Sequence, residues 1–227
     1  MGHLLLEGGA EFGGKMAEPD LRAIELAGGF EVPIRILPTA AAPDRNHVRA
    51  GNNGVRWFQK LGAKDVEAVN VIDKASANDA ALAAVMRASR LIYLLGGFPQ
   101  HLGETLADSQ VWQAALQAYE EGAVIAGSSA GAMVLCEHYH DPYVKKLLPG
   151  LNLIPRACVL PHHDNFGKNR AKALSEQLPD SILIGIDEQT GMISEGKGWR
   201  VHGAGVVTLY RRGQQSQVKA HGEAFSL

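Results

Sequence analysis

The run Ile125-Ala126-Gly127-Ser128-Ser129-Ala130-Gly131-Ala132-Met133 contains Gly-x-Ser-x-Gly centred on Ser129. An apolar stretch that reads as a strand (residues 123–126) precedes it, and an apolar run with helical spacing follows. A sharp strand-to-helix turn at this point lifts the serine hydroxyl clear of the sheet on a strained backbone. Gly127, Ala130 and Gly131 are small enough for chain segments to pass closely around it. The helix start behind Ser129 offers free N–H groups and a positive dipole end to a developing oxyanion. The chemistry indicated is nucleophilic attack on a carbonyl.

A serine hydroxyl needs a base, and the base needs a carboxylate to orient it. His162, in Leu160-Pro161-His162-His163-Asp164, follows a strand-like run at residues 157–160, and His163 competes for the role. Glu188, in Gly185-Ile186-Asp187-Glu188-Gln189-Thr190, follows another such run at residues 182–186, and Asp141 is the second candidate acid. Catalytic groups of open α/β sheets gather at the carboxyl ends of strands, which suits these positions. Two other patterns are weaker. Gly9-Ala10-Glu11-Phe12-Gly13-Gly14-Lys15 has phosphate-loop spacing, but Met16 stands where a magnesium-binding Ser or Thr belongs. His138, His140, His162, His163 and Asp164 could be drawn as a metal cluster, yet no spacing fixes their geometry. Neither a metal nor a cofactor is expected.

The elements that must position these residues alternate. Strands are predicted at residues 3–6, 32–37, 66–72, 91–95 and 123–126. Helices are predicted at 19–27, 46–61, 79–88 (capped by Asn78) and 109–121, with glycine turns between. His138-x-His140 falls at a predicted helix end. After residue 180 the pattern becomes short strands at 182–186, 191–194, 199–202 and 206–210. This predicts an α/β fold in three layers: a mainly parallel central sheet, helices on both faces and a β-rich C-terminal edge. No repeat or linker interrupts it, so residues 1–227 read as a single domain.

Composition excludes several classes. The 227 residues are 46% hydrophobic and 20% charged, with mean hydropathy −0.07, which is globular rather than disordered. A formal charge of −2 supplies no basic field for nucleic acid or an anionic membrane. The opening residues lack a cationic, long apolar leader, and no apolar run reaches the ~18 residues of a membrane span. Cys136 and Cys158 suit a reducing compartment. These readings predict a soluble, cytoplasmic protein, and an exposed β-rich edge suits a homodimer.

Taken together, the chain resembles the serine peptidase family of dipeptidase E and cyanophycinase, whose fold is that of class I glutamine amidotransferases. The likeness rests on Gly127-Ser128-Ser129-Ala130-Gly131-Ala132, Pro161-His162, residues 185–190 and Leu94-Leu95-Gly96-Gly97. Weaker likeness extends to Ile36-Leu37-Pro38-Thr39-Ala40 and to His202-Gly203-Ala204-Gly205-Val206. The resemblance implies Ser129 as nucleophile and His162 as general base. It favours Glu188 as the acid, although the dipeptidase E branch points to Asp141. It also implies an oxyanion hole from the N–H groups of Gly97 (or Gly96) and Ala130. Gln100, Lys168 and Arg170 are candidate substrate-binding residues. The chain departs from the family pattern in Phe98-Pro99-Gln100 after the glycine pair and in His163 after the base. The activity implied is serine exopeptidase action on small peptides through an acyl-enzyme, by dipeptidase or carboxypeptidase cleavage. An esterase with the same nucleophile and a non-catalytic amidotransferase-like binding module are the alternatives.

Overall fold

The computed structural model describes residues 1–227 except Lys197 and the side chains of residues 167–169. Five strands form its parallel core: β1 (His3–Glu7), β2 (Ile34–Leu37), β3 (Val66–Ala68), β4 (Leu91–Leu94) and β5 (Val124–Ser128). They lie in the order β1-β5-β4-β2-β3, each in parallel register with its neighbours. Their near-continuous apolar sequences follow from burial on both faces. Leu4, Leu6, Ile92, Leu94 and Ile125 point into one apolar cluster, while Leu5, Leu91, Tyr93, Val124 and Ala126 point into the other. Successive side chains of a strand alternate faces, so one strand sequence feeds two cores.

Helices α1 (Ala17–Ala27) and α2 (His47–Lys60) cover the second cluster through Ala23, Ile24, Trp57 and Phe58. The opposite face is covered by α3 (Ala80–Arg87), α4 (Pro99–Leu106), α5 (Gln110–Glu120) and the short α6 (Ala130–Val134). The expected α/β architecture, with helices on both faces of a mainly parallel sheet, is the one observed.

Several boundaries differ from expectation for local reasons. The third strand stops at Ala68, because the Val71 N–H turns back to the Val69 carbonyl. Asp79, not Asn78, caps α3, its carboxylate accepting the N–H groups of Ala81 and Leu82. Phe98-Pro99-Gln100 opens α4, with Pro99 in the first turn, where its missing N–H is harmless. His138-x-His140 lies in a strand, β6 (His138–Asp141), paired antiparallel with β7 (Lys146–Pro149).

The C-terminal third divides between two sheets. Strands β10 (Thr190–Glu195), β11 (Gly198–Gly203) and β14 (Ala224–Phe225) extend the main sheet antiparallel from β1. The second sheet has the order β13-β12-β9-β8, from β8 (Ala157–Leu160), β9 (Ile182–Ile186), β12 (Val207–Tyr210) and β13 (Gln217–Lys219). Helix α7 (Lys168–Gln177) packs its buried Ala171 and Leu174 against Cys158 and Leu183 of that sheet. Among the described residues no helix is long and apolar enough to cross a membrane. The β5 end, the β8 end and the β9 end converge on one place.

Candidate active site

Ser129 caps the short helix after β5 with φ 49° and ψ −110°, a strained conformation for a side-chain-bearing residue. Its N–H donates to the Glu7 carbonyl (3.0 Å), which pins the turn to β1. Space forces small residues around it. A Cβ on Gly127 would meet the Gly131 backbone at 2.5 Å, and one on Gly131 would meet the Leu94 carbonyl oxygen at 2.1 Å.

Pro161 and His162 leave β8 at its carboxyl end. His162 also has positive φ (48°), and its N–H donates to the Gly8 carbonyl at 2.7 Å. The ring stands between two partners. Ser129 Oγ lies 2.9 Å from Nε2, and Glu188 Oε1 lies 2.7 Å from Nδ1. With Nδ1–H donating to the carboxylate, Nε2 is left to accept the serine proton. Glu188 follows β9, and its N–H donates to Asp164 Oδ1 at 3.1 Å. The structure therefore brings Ser129, His162 and Glu188 into one hydrogen-bonded series.

His163 and Asp141 are placed elsewhere. The His163 side chain is fully buried, with Nδ1 3.2 Å from Asp187 Oδ1 and Nε2 2.8 Å from the Tyr210 hydroxyl, so it braces β9 and β12. Asp141 Oδ1 accepts the N–H groups of Tyr143 and Val144, and Oδ2 accepts that of Gln100. Its carboxylate shapes the β6–β7 turn and the start of α4 rather than steadying His162.

Gly96 and Gly97 follow β4 beside the elbow. Gly97 has φ +140°, and a Cβ there would sit 2.3 Å from the Ala40 carbonyl oxygen, so only glycine fits. Among the described residues no hydrogen bond takes the N–H of Gly96, Gly97 or Ala130, leaving these donors for an oxyanion. A chamber of about 350 Å³ opens beside Ser129 and His162, walled by Met133, Tyr143, Leu160 and Phe166, with His140 and Arg170 as its polar groups. Burial, then the Arg170 charge, holds His140 below the ordinary histidine range. Gln100 does not line the chamber; its side-chain amide donates to Glu104 at 2.8 Å. The Lys168 side chain lies outside the described residues. No group of three or more His, Cys, Asp or Glu converges as a metal site among the described residues.

Beneath the elbow lies a polar cluster that spacing did not reveal. Glu7 and Asp20 are fully buried carboxyls, and among the described residues no donor reaches Glu7 Oε1 or Asp20 Oδ1. Trp57 Nε1–H donates to Asp20 Oδ2 at 2.7 Å, and the Tyr93 hydroxyl donates to Glu7. Burial, then the Asp20 charge, pushes Glu7 well above the usual carboxylate range. Burial pushes Asp20 up to about 7. The folded chain therefore holds protons that the unfolded chain releases near pH 4. The stability contributed is complete below about pH 4 and is lost as pH rises through about 7. Thermal melts across that window should show Glu7→Gln gaining on the wild type as pH rises. A constant difference in Tm between the two would contradict this account. The one hint in the sequence was an acid ending the otherwise apolar strand His3-Leu4-Leu5-Leu6-Glu7.

Comparison with known proteins gives a consistent likeness. The sequence pattern of peptidase family S51 matches residues 4–202. The chain is 30% identical over 197 residues to a cyanophycinase of Trichormus variabilis, covering 81% of this chain and 64% of that protein. It is 30% identical over 234 residues to a cyanophycinase of Geminocystis herdmanii, covering 97% of this chain and 84% of that protein. The chain thus spans about 64% of the length of the Trichormus relative. The crystal structure of a peptidase from an acI-B1 Actinobacterium superposes with TM-score 0.88 at 28% identity, covering 100% of this chain and 97% of that one.

Proposed function

The chain belongs to peptidase family S51, and on that premise we propose that it is a serine exopeptidase of small peptides. The observation that carries the reading is the unbroken series from Ser129 Oγ through the His162 ring to Glu188. His162 Nε2 takes the hydroxyl proton as Ser129 Oγ attacks the scissile carbonyl carbon. Glu188 holds the imidazole in the required tautomer and steadies the imidazolium. The carbonyl oxygen becomes an oxyanion facing the N–H groups of Gly97 and Ala130. Donors of this kind are worth about 2.7–4 kcal/mol each when removed.

His162 then gives its proton to the leaving nitrogen, the C–N bond breaks, and an ester to Ser129 remains. Water, deprotonated by the same ring, attacks that ester and releases the acid. A chamber of this size, lined by Tyr143 and Phe166, favours short peptides over long chains, and we assign Arg170 on its wall to hold a substrate carboxylate. We read the chain as one domain acting in the cytoplasm.

A digest of a mixed peptide library, followed by mass spectrometry, tests the reading. Removal of one or two terminal residues from short peptides is expected. Cleavage of aryl esters with every peptide left intact would overturn it in favour of an esterase.

A further inference from the structure

The end of β1 holds all three parts of the site through its backbone. The Glu7 carbonyl accepts the Ser129 N–H (3.0 Å), and the Gly8 carbonyl accepts that of His162 (2.7 Å). The Gly9 carbonyl accepts the N–H of Gln189 (3.2 Å), the residue after Glu188. Gly9 also lies against the imidazole, since a Cβ there would meet His162 Cε1 at 2.2 Å. Three consecutive carbonyls thus set the spacing of nucleophile, base and acid. A misplacement of about 1 Å in such a constellation is enough to cost about 100-fold in rate. Glu7 itself sits inside the sheet, in register with Ser128 on β5 and Gly191 on β10.

The Glu7 side chain, which takes no part in the proton transfers, is fully buried at the end of an apolar strand. The groups facing the Glu7–Asp20 pair come from several elements. Tyr93 of β4 donates its hydroxyl to Glu7, and Trp57 of α2 donates to Asp20 of α1. Glu11, in the loop after β1, adds a third carboxylate, and its Oε2 accepts the Ser128 hydroxyl at 2.9 Å. Among the described residues no donor reaches Glu7 Oε1 or Asp20 Oδ1, and no Arg, Lys or His forms an ion pair with Glu7, Asp20 or Glu11. Charge buried without a cation or a full set of donors is costly, so the intact site keeps this pair proton-bearing. Ionising it places uncompensated charge directly below the elbow, where chain displacement and water entry relieve it.

We propose that Glu7 is a positioning residue whose uncharged side chain, set against Asp20 and Tyr93, anchors the β1 exit and with it the spacing of Ser129, His162 and Glu188. It touches no substrate. While the pair keeps its protons, the exit stays in place and Ser129 Oγ stays 2.9 Å from His162 Nε2. When the pair ionises, the exit shifts and the three groups part. The reaction then fades at alkaline pH, although His162 is fully available there as a base. Burial raises Asp20 to about 7 and Glu7 well above the carboxylate range. Groups raised in this way are protonated at lower pH, so the activity they support is present below about pH 7 and declines above it. This inference rests on the nucleophile and base of the peptidase reading and adds an alkaline limit to their reaction.

The rate at which a fluorophosphonate labels Ser129, followed from about pH 5 to about pH 10 in the full-length protein, tests it without any peptide. The wild type should label fastest near neutrality and slow about tenfold or more by about pH 9. With a peptide substrate, kcat should fall in the same way while KM changes little. Glu7→Gln and Asp20→Asn should each hold their rate to about pH 9, because the new amide donates to the remaining carboxylate and lets it ionise in place. Tyr93→Phe removes a donor that favours ionised Glu7, so its decline should begin at higher pH than that of the wild type. Thermal melts at each pH confine the comparison to folded samples. A wild-type rate that rises to an alkaline plateau would overturn this inference alone. The same alkaline decline in all three variants would do so too. Failure of Ser129 to label at any pH would overturn the nucleophile assignment and this inference with it.

Discussion

Replacing Ser129 with alanine is expected to lower peptide hydrolysis by about 10⁴-fold or more in kcat, with Tm close to that of the wild type. The substitution removes one oxygen and nothing else from the site. The fold does not depend on that oxygen, since the elbow is pinned by the Ser129 N–H to the Glu7 carbonyl and by the close approach of Gly127 and Gly131. Alanine tolerates the positive φ no worse than serine does. What disappears is the atom that His162 activates, so the acyl-enzyme cannot form. Residual turnover would come from the oxyanion donors and from binding. Steady-state kinetics with a thermal melt on the same sample checks both halves of the expectation. Wild-type turnover in the variant would remove Ser129 from the mechanism.

Glu188→Gln should be almost as severe, lowering kcat by about 10³–10⁴-fold. The amide keeps the shape of the side chain, so the loss cannot be put down to a cavity. Its effect is electronic and tautomeric. A carboxylate at 2.7 Å from Nδ1 requires Nδ1–H and leaves Nε2 free for the serine proton. An amide can present its NH₂ to Nδ1, turn the ring to the other tautomer, and leave no charge to stabilise the imidazolium. Asp141→Asn is the matching control. Because Asp141 accepts two turn N–H groups and one from the start of α4 rather than facing His162, its loss should destabilise the β6–β7 turn while leaving kcat near wild type. The reverse result, with Asp141→Asn inactive and Glu188→Gln active, would move the acid to the position after the elbow.

The parts of the site visible in the sequence are those whose chemistry demands local patterning. A nucleophile on a strained turn needs Gly127, Ala130 and Gly131, and those small residues appear in the chain as a string. His162 and Glu188 stand just past apolar strands, but position alone left His163 and Asp141 open, and the family resemblance chose His162 and favoured Glu188; both lie within 3 Å of their partners. Position alone did not separate His162 from His163. The two are adjacent, and only the burial of His163 between Asp187 and Tyr210 separates their surroundings.

Long-range contacts hid the remainder. Glu7, Asp20, Trp57 and Tyr93 come from four separate elements, and no spacing joins them. The loop at Gly9 to Lys15 matched a phosphate-binding pattern by letter, but its positive φ angles fall on Ala10 and Phe12 as well as on Gly9 and Gly14, and at the first two composition gives no warning. Elements were misread where tertiary pairing overrides local preference. The two histidines of β6 sit in a strand because β7 supplies the pairing, and α4 was missed because its glycine and proline obscure a run that buries Leu102 and Leu106.

Intact-protein and peptide mass spectrometry after treatment with a fluorophosphonate tests the central claim most directly, because the reagent requires an activated serine and reports which one. A single adduct mapping to Ser129, absent from Ser129→Ala, is the expected result. A folded wild-type sample that stays unlabelled, or carries its adduct on Ser128 or another serine, would contradict the account.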